Sequence, residues 1–189
     1  MHTLHPIMRT KQLTIDTTEV LFKRNGLKYK PGDKVKLEGL SPYIASGIQE
    51  PWIRILLKTE QVSMKAGESL RVYGIESDTL NLINANEEKA TAVYIAINEG
   101  IAPCLSYLST FPQDKFRAII YKYDNEGVNI DWLKQNQLLF DSNNLSQLLS
   151  SIPLNDEEYN SDYYIYGQGD TMIKDYLLNH GIGVNNIIC

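Results

Sequence analysis

The stretch Tyr94-Ile95-Ala96-Ile97-Asn98-Glu99-Gly100-Ile101-Ala102-Pro103 carries the pattern with the clearest chemical meaning in this chain. The apolar run from Ala92 to Ile97 reads as a buried strand. It breaks at Asn98-Glu99-Gly100 and passes through Pro103 into Cys104-Leu105-Ser106-Tyr107-Leu108, which reads as a helix. A strand, a tight glycine turn and a helix with proline in its first turn form an anion-binding mouth. The first N–H groups of a helix lack partners and lie at the positive end of its dipole. Other chemistries are poorly represented. The two cysteines, Cys104 and Cys189, make neither a disulfide framework nor a metal spacing. His2, His5 and His180 form no ligand set, and His2 and His5 are expected in a mobile tail. Cys104 reads as buried packing, with a redox role as the alternative.

The elements that must hold this turn fit a chain of 189 residues, enough for one large or two small domains with a real core. Apolar residues make up 43% and charged ones 22%, as in soluble globular proteins. A net charge of -5 leaves no basic footprint for nucleic acid. Lys28, Lys30, Lys34 and Lys36 flank Pro31-Gly32 at alternate positions and read as the wet face of two strands rather than a phosphate patch. No apolar window is long enough to span a membrane, and Met1 to Arg9 lacks a signal core, so a cytoplasmic protein is expected.

Up to about residue 85 the chain reads as short strands: Gln12–Asp16, Glu19–Lys23, Lys34–Glu38, Trp52–Lys58, Ser69–Tyr73 and Thr79–Ile83. Their spacing predicts a small antiparallel β-barrel over residues 1–85. Asn84–Lys89 reads as a junction. From 90 to 189 strands alternate with helices, which predicts a parallel sheet in an α/β nucleotide-binding-type domain. The strands are Ala92–Ile97, Phe116–Tyr121, Leu138–Phe140, Tyr163–Tyr166 and Val184–Ile188. The helices start near Pro103 and cover Asn129–Gln135, Asn144–Ser151 and Asp170–Asn179, the last with Met172, Ile173, Tyr176 and Leu177 on one face. Gly167 and Gly169 let the strand turn into that helix, with Asp170 as its N-cap. Trp52 and Trp132 read as core or seam residues.

A small barrel followed by such a domain resembles the ferredoxin–NADP reductase superfamily. Leu27-Lys28-Tyr29-Lys30-Pro31-Gly32-Asp33-Lys34-Val35 looks like its "P-G" barrel turn. Ser41-Pro42-Tyr43-Ile44-Ala45-Ser46-Gly47 looks like a variant of its flavin motif "R-x-Y-S-x-x-S". Lys65–Gly74 is similar to its approach to the second domain, and Asn98–Pro103 aligns with its pyridine-nucleotide loop "G-T-G-I-A-P". Tyr164–Ile173 looks like "y-x-C-G-x-x-x-M".

The resemblance implies a flavin-dependent oxidoreductase, with FAD or FMN lodged between the domains and NAD(P)H as hydride donor. It implies that electrons leave for an acceptor such as a protein. Tyr43 would stack on the flavin, and Ile44, Ala45 and Ser46 would face its edge. Gly100, Ile101, Ala102 and Pro103 would hold the dinucleotide phosphates. Tyr166 and Gly167 would approach the nicotinamide, and Gln168 and Asp170 the ribose end. The departures are physical. Ser41 replaces the arginine that clamps the flavin phosphate. Lys58 to Gly67 leaves room for one helical turn where relatives have a phosphate-binding helix. Asn98 and Glu99 replace glycine and threonine, and Glu99 brings negative charge to a pyrophosphate site. The chain ends at Cys189, where relatives continue into a tail over the flavin. These departures open a second expectation: a non-catalytic, reductase-like module that binds a partner protein or ligand across the domain cleft.

Overall fold

The computed structural model describes residues 2–77, 92–111, 116–129, 139–155, 160–167 and 171–189. They group into two compact units, residues 1–80 with 102–112, and residues 81–101 with 113–189.

In the first unit β1 (Thr3–Gln12), β2 (Thr17–Lys23), β4 (Trp52–Lys58) and β5 (Ser69–Val72) form an antiparallel sheet in the order β4-β2-β1-β5. β3 (Lys34–Lys36) pairs with β6 (Gly74–Glu76). Three links close the sheet into a barrel. Ile44 bridges to Ile55 on β4, Tyr43 bridges to Lys34 on β3, and the Tyr73 N–H, between β5 and β6, bonds the Lys36 carbonyl at 2.8 Å. Alternation drives this closure: Val20 and Phe22 on β2, and Ile53, Ile55 and Leu57 on β4, point inward and are buried with Val35, Ile44, Leu70 and Val72.

The barrel begins earlier than the sequence pattern predicts. Gln12–Asp16 is not a strand; β1 ends at Gln12 and a turn follows, with the Thr14 hydroxyl accepting the Thr17 N–H at 2.9 Å. His5 lies in β1 rather than in a tail. It is 1% exposed, with Nδ1 2.8 Å from the Lys23 carbonyl and Nε2 2.7 Å from the Thr3 hydroxyl. The lysines are also only half as expected: Lys34 and Lys36 lie on β3, whereas Lys28 and Lys30 precede it in non-strand backbone. Trp52 stands on the outer side of β4, 41% exposed, with its indole N–H on Glu50 Oε2 at 2.9 Å.

The second unit holds a parallel sheet of β7 (Ala92–Ile97), β8 (Phe116–Lys122), β9 (Leu139–Ser142), β10 (Asp162–Tyr166) and β11 (Ile187–Ile188), in the order β11-β10-β7-β8-β9. β7 is buried on both faces, which explains its unbroken apolar run. The helix α1 (Ile101–Leu108) follows β7, α2 (Leu145–Ser150) follows β9 and α3 (Thr171–Asn179) follows β10. α2 and α3 bring Leu148, Ile173 and Leu177 into one core with Val93, Ile95, Tyr163 and Ile165. Tyr176 is half-buried beside them, but Met172 is 61% exposed and leaves the expected face. The last strand is shorter than expected, because Val184–Asn186 forms a 3-10 turn. The expected strand Thr79–Ile83, the junction Asn84–Lys89, Trp132 and all of the expected helix Asn129–Gln135 except Asn129 lie outside the described residues. No described helix is long and apolar enough to cross a membrane.

Candidate functional site

The strand order places β7 and β10 side by side. The chain winds outward from β7 through β8 to β9, then returns to β10 on the other side of β7. This reversal is a topological switch point, where the carboxyl ends of adjacent strands open a crevice. Both strands end there in a glycine turn.

After β7, Asn98–Gly100 forms a 3-10 turn that runs directly into α1. Asn98 takes the left-handed φ of 49° that glycine usually supplies. Its side chain holds the conformation from both ends: Nδ2 donates to Asp124 Oδ2 at 2.8 Å, and Oδ1 accepts the Asp124 N–H at 3.1 Å. Lys122 Nζ pairs with Asp124 Oδ1 at 2.6 Å. The Ile101 N–H is already bonded to the carbonyls of Asn98 and Glu99, so the helical turn starts at Asn98. Glu99 therefore sits in the first turn, half-buried, and brings negative charge to the start of the helix.

The two glycines are in backbone contact. A Cβ on Gly100 would lie 2.0 Å from the Tyr166 carbonyl oxygen, and one on Gly167 would lie 2.2 Å from the Ile97 carbonyl oxygen. Gly167 also has φ 117°, which side-chain-bearing residues rarely adopt. The Tyr94 hydroxyl donates to the Gly100 carbonyl at 2.9 Å. The Tyr94 ring lies parallel to Tyr166, centroids 5.4 Å apart, with Phe116 edge-on to it. The turns are thus fixed by packing as well as by chain geometry. Tyr121 is buried nearby; its hydroxyl accepts the Val128 N–H at 3.2 Å, and burial pushes its phenol up to about 12, with Glu99 adding to the rise.

The second predicted site, Tyr43–Ser46, belongs to the barrel. Tyr43 is half-buried, with the Lys34 ammonium 4.5 Å from its ring centroid. Ile44, Ala45 and Ser46 are each 0% exposed. The Ile44 N–H bonds the Asp33 carbonyl at 3.0 Å and the Ala45 N–H bonds the Arg54 carbonyl at 2.8 Å. Ser46 Oγ accepts the Arg54 N–H at 3.1 Å and lies 3.0 Å from the Tyr29 hydroxyl. That hydroxyl donates to the Gly47 carbonyl at 2.7 Å, and burial raises its pKa. The helix residues from Ala102 onward group with this unit. Ser106 donates to the Ser46 carbonyl at 2.7 Å, and the Thr110 hydroxyl accepts the Ile48 N–H at 3.1 Å.

Several charges around the bend are mutually engaged, while Lys36, opposite Ser41 in the hairpin, is exposed. Ser41, expected at the phosphate clamp, donates to Glu76 Oε2 at 3.2 Å. Arg54 reaches Glu19 Oε2 at 3.3 Å and Glu50 Oε2 at 3.6 Å, while Arg9 pairs with Glu19 at 2.6 Å. Arg24 donates to the carbonyls of Leu27 and Ile48 and lies over the Tyr29 ring. The β4 strand runs into a single 3-10 turn, Thr59–Gln61, with Glu60 in it. Cys104 is fully buried in α1, and burial pushes its thiol up, which removes thiolate chemistry at neutral pH. No cluster of metal-ligating side chains exists among the described residues.

Of the sequence-predicted site residues, Gly100, Tyr166 and Gly167 come together at the switch point, with Ile101 buried next in the chain. Ala102 and Pro103 are buried in α1 and group with the barrel. Tyr43, Ile44, Ala45 and Ser46 form the bend, and Gln168 and Asp170 lie outside the described residues. The sequence reading missed Tyr94, Tyr29, Ser106 and Asp124, whose hydroxyls and carboxylate hold these turns; their partners are set by the tertiary fold and leave no local spacing signal.

No family model and no curated protein matches the sequence. Solved structures do. The ferredoxin–NADP+ reductase of Plasmodium falciparum aligns with a TM-score of 0.75 at 15% identity, over 99% of this chain and 95% of that one. A ferredoxin–NADP+ reductase of Neisseria gonorrhoeae, solved with bound FAD and NADP, aligns at 0.68 and 14% identity, over 95% and 92%. The flavohem-like FAD/NAD-binding domain of nitric oxide dioxygenase from Vibrio cholerae O1 biovar El Tor aligns at 0.68 and 17% identity, over 97% and 95%. The chain has the barrel-plus-parallel-sheet fold of the ferredoxin–NADP reductase superfamily.

Proposed function

We propose that this chain is an NAD(P)H-dependent flavin oxidoreductase, with residues 1–85 as the flavin-binding-like domain and residues 90–189 as the NAD(P)-binding-like domain. The switch point carries this reading. β7 and β10 end side by side in the Gly100 and Gly167 turns, where open α/β sheets hold their ligands. Fold likeness supports the class of chemistry, and the site must supply the rest.

Tyr43 is half-buried beside the closed Ile44–Ser46 run and would supply an aromatic contact to the ring. When bound, a flavin takes hydride from a reduced nicotinamide and passes the electrons to an acceptor, a small molecule or a protein. The chain's contribution is position. The Tyr94 hydroxyl, the Tyr94–Tyr166 ring stack and the reciprocal glycine contact hold the turns after β7 and β10 in place. Hydride transfer needs no general acid or base from the protein.

The test is reduction of added FMN or FAD by NADH or NADPH without oxygen. Acceleration by the protein over the two small molecules alone supports the reading, and a changed KM for the nucleotide in Asp124→Asn ties it to the turn after β7. No acceleration with either nucleotide and either flavin would discard it. That result would favour the non-catalytic module, a reading favoured by the Ser41–Glu76 contact at the expected phosphate clamp.

A further inference from the structure

Resting on that flavin reading, we propose that Lys36 supplies the cation for the phosphate of a phosphorylated flavin, reaching it from the strand opposite Ser41. The outward face of the hairpin made by β3 and residues 40–43 is then the site, and FMN is taken in preference to riboflavin.

The first support is register. The Val35 N–H bonds the Pro42 carbonyl at 2.9 Å, and the Leu37 N–H bonds the Leu40 carbonyl at 2.8 Å. Lys36 and Ser41 therefore stand directly opposite each other, between two bonded pairs. In an antiparallel ladder that is the kind of pair whose side chains lie closest. Lys34 and Tyr43 bridge in the same register, and the Lys34 ammonium lies 4.5 Å from the Tyr43 ring centroid. Val35 and Leu37 are buried, so alternation puts Lys34, Lys36, Ser41 and Tyr43 together on the outward face. That face sets an aromatic ring beside a hydroxyl and an ammonium, donors suited to an aromatic ligand that carries a phosphate ester.

The second support is charge. Arg54 lies between the Glu19 and Glu50 carboxylates, and Arg24 is committed to backbone carbonyls and to the Tyr29 ring. Lys34 covers the Tyr43 ring and stands opposite Glu76 on β6. Lys36 differs from all three. It is exposed, its partner on β6 is Gly74, and among the described residues no side chain pairs with its ammonium. The Ser41 hydroxyl donates to Glu76 Oε2 at 3.2 Å, an exposed contact in which a phosphate oxygen can replace the carboxylate. One exposed ammonium with Glu76 nearby predicts a modest, salt-sensitive gain from the phosphate rather than a tight clamp.

The experiment is a fluorescence-quenching titration of the full chain with riboflavin and FMN, at low and high salt, repeated with Lys36→Met, Lys36→Arg and Lys28→Met. The Lys28 variant removes an exposed lysine from the non-strand segment before β3. FMN is expected to bind the unaltered protein about fivefold more tightly than riboflavin at low salt, and salt should narrow the gap. Lys36→Met should abolish the gap by weakening FMN alone, while Lys36→Arg and Lys28→Met keep it. Equal binding of the two flavins, a gap that survives Lys36→Met, or the same loss in Lys28→Met overturns the assignment and leaves the flavin reading intact. Weakening of both flavins alike by Lys36→Met also overturns it, because that is the mark of a structural role. Absence of quenching by either flavin overturns both the assignment and the flavin reading.

Discussion

Gly100→Ala tests whether the nucleotide-type turn is shaped by packing or by ligand access. The added Cβ would lie 2.0 Å from the Tyr166 carbonyl oxygen, 2.4 Å from its carbonyl carbon and 2.9 Å from the Gly167 nitrogen. All are backbone atoms, and Tyr166 is held in register against Ala96 on β7. Carbon and carbonyl oxygen approach no closer than roughly 3.3 Å even in favourable C–H···O contacts, so the two turns must part by about 1 Å. Overpacking a well-filled site costs typically 1–3 kcal/mol, and a clash between backbones at the central strand pair belongs at the top, about 3 kcal/mol. For a chain of this size, each kcal/mol lowers the melting temperature by roughly 2–4 °C, so a fall of about 6–12 °C is expected. The assay is thermal unfolding followed by circular dichroism, with no ligand added. If Gly100 served only to admit a phosphate, the ligand-free variant would melt with the parent. A shift below about 1 °C therefore refutes the packing argument. Gly167→Ala should cost at least as much, because its Cβ would meet the Ile97 carbonyl oxygen at 2.2 Å and its φ of 117° is strained for alanine. The double variant should cost less than the sum, because one separation of the same turns relieves both clashes.

Tyr94→Phe should destabilise the fold by about 1 kcal/mol in a urea titration, since it leaves the buried Gly100 carbonyl without the hydroxyl now 2.9 Å away; an unchanged midpoint would contradict that role. Burial lifts Tyr121 to about 12, above its unfolded value near 10, so its contribution is intact below about pH 10 and is lost as the pH rises through about 12. Tyr121→Phe should therefore show a shallower alkaline fall in stability than the parent, and identical slopes would refute the assignment; Tyr29, also raised, accounts for slope that remains. Asp124 stands at the strand ends with Lys122 already paired to it at 2.6 Å, so NADH should bind about tenfold more tightly than NADPH, read by nicotinamide fluorescence. Asp124→Asn should narrow that gap, and equal affinity in the parent would rule out the electrostatic preference.

The parallel sheet was legible because β7 is buried on both faces and so reads as one apolar run, and because each crossover is punctuated by glycine or proline. The barrel was legible where alternation is clean, as in β2 and β4. β1 was not, because its pattern is inverted: His5 points inward with Ile7, while Leu4 and Met8 stand outward at 57% and 51% exposure. A buried histidine satisfied by Lys23 and Thr3 mimics a polar tail when only neighbours in sequence are visible. The same limit hid the role of the glycines. Gly100 and Gly167 read as turn residues one at a time, but their mutual contact depends on β7 and β10 being adjacent, which is a property of strand order. Asn98 was legible as a residue able to replace glycine; that Asp124 and Lys122 secure it was not, since both belong to the next strand and the loop beyond it.

The grouping of residues 102–112 with residues 1–80 has a consequence for how this chain is made. The bend at Ser46 and Ile48 takes hydrogen bonds from Ser106 and to Thr110, and Gly47 lies directly against Ser109. During synthesis the amino-terminal drum cannot reach its finished state when its own last strand leaves the ribosome. It must wait until a strand of the other lobe and the helix after it have emerged. A fragment cut at residue 85 would lack these closing bonds, and the discontinuity makes the maturation of one lobe depend on chain that passes first through the other.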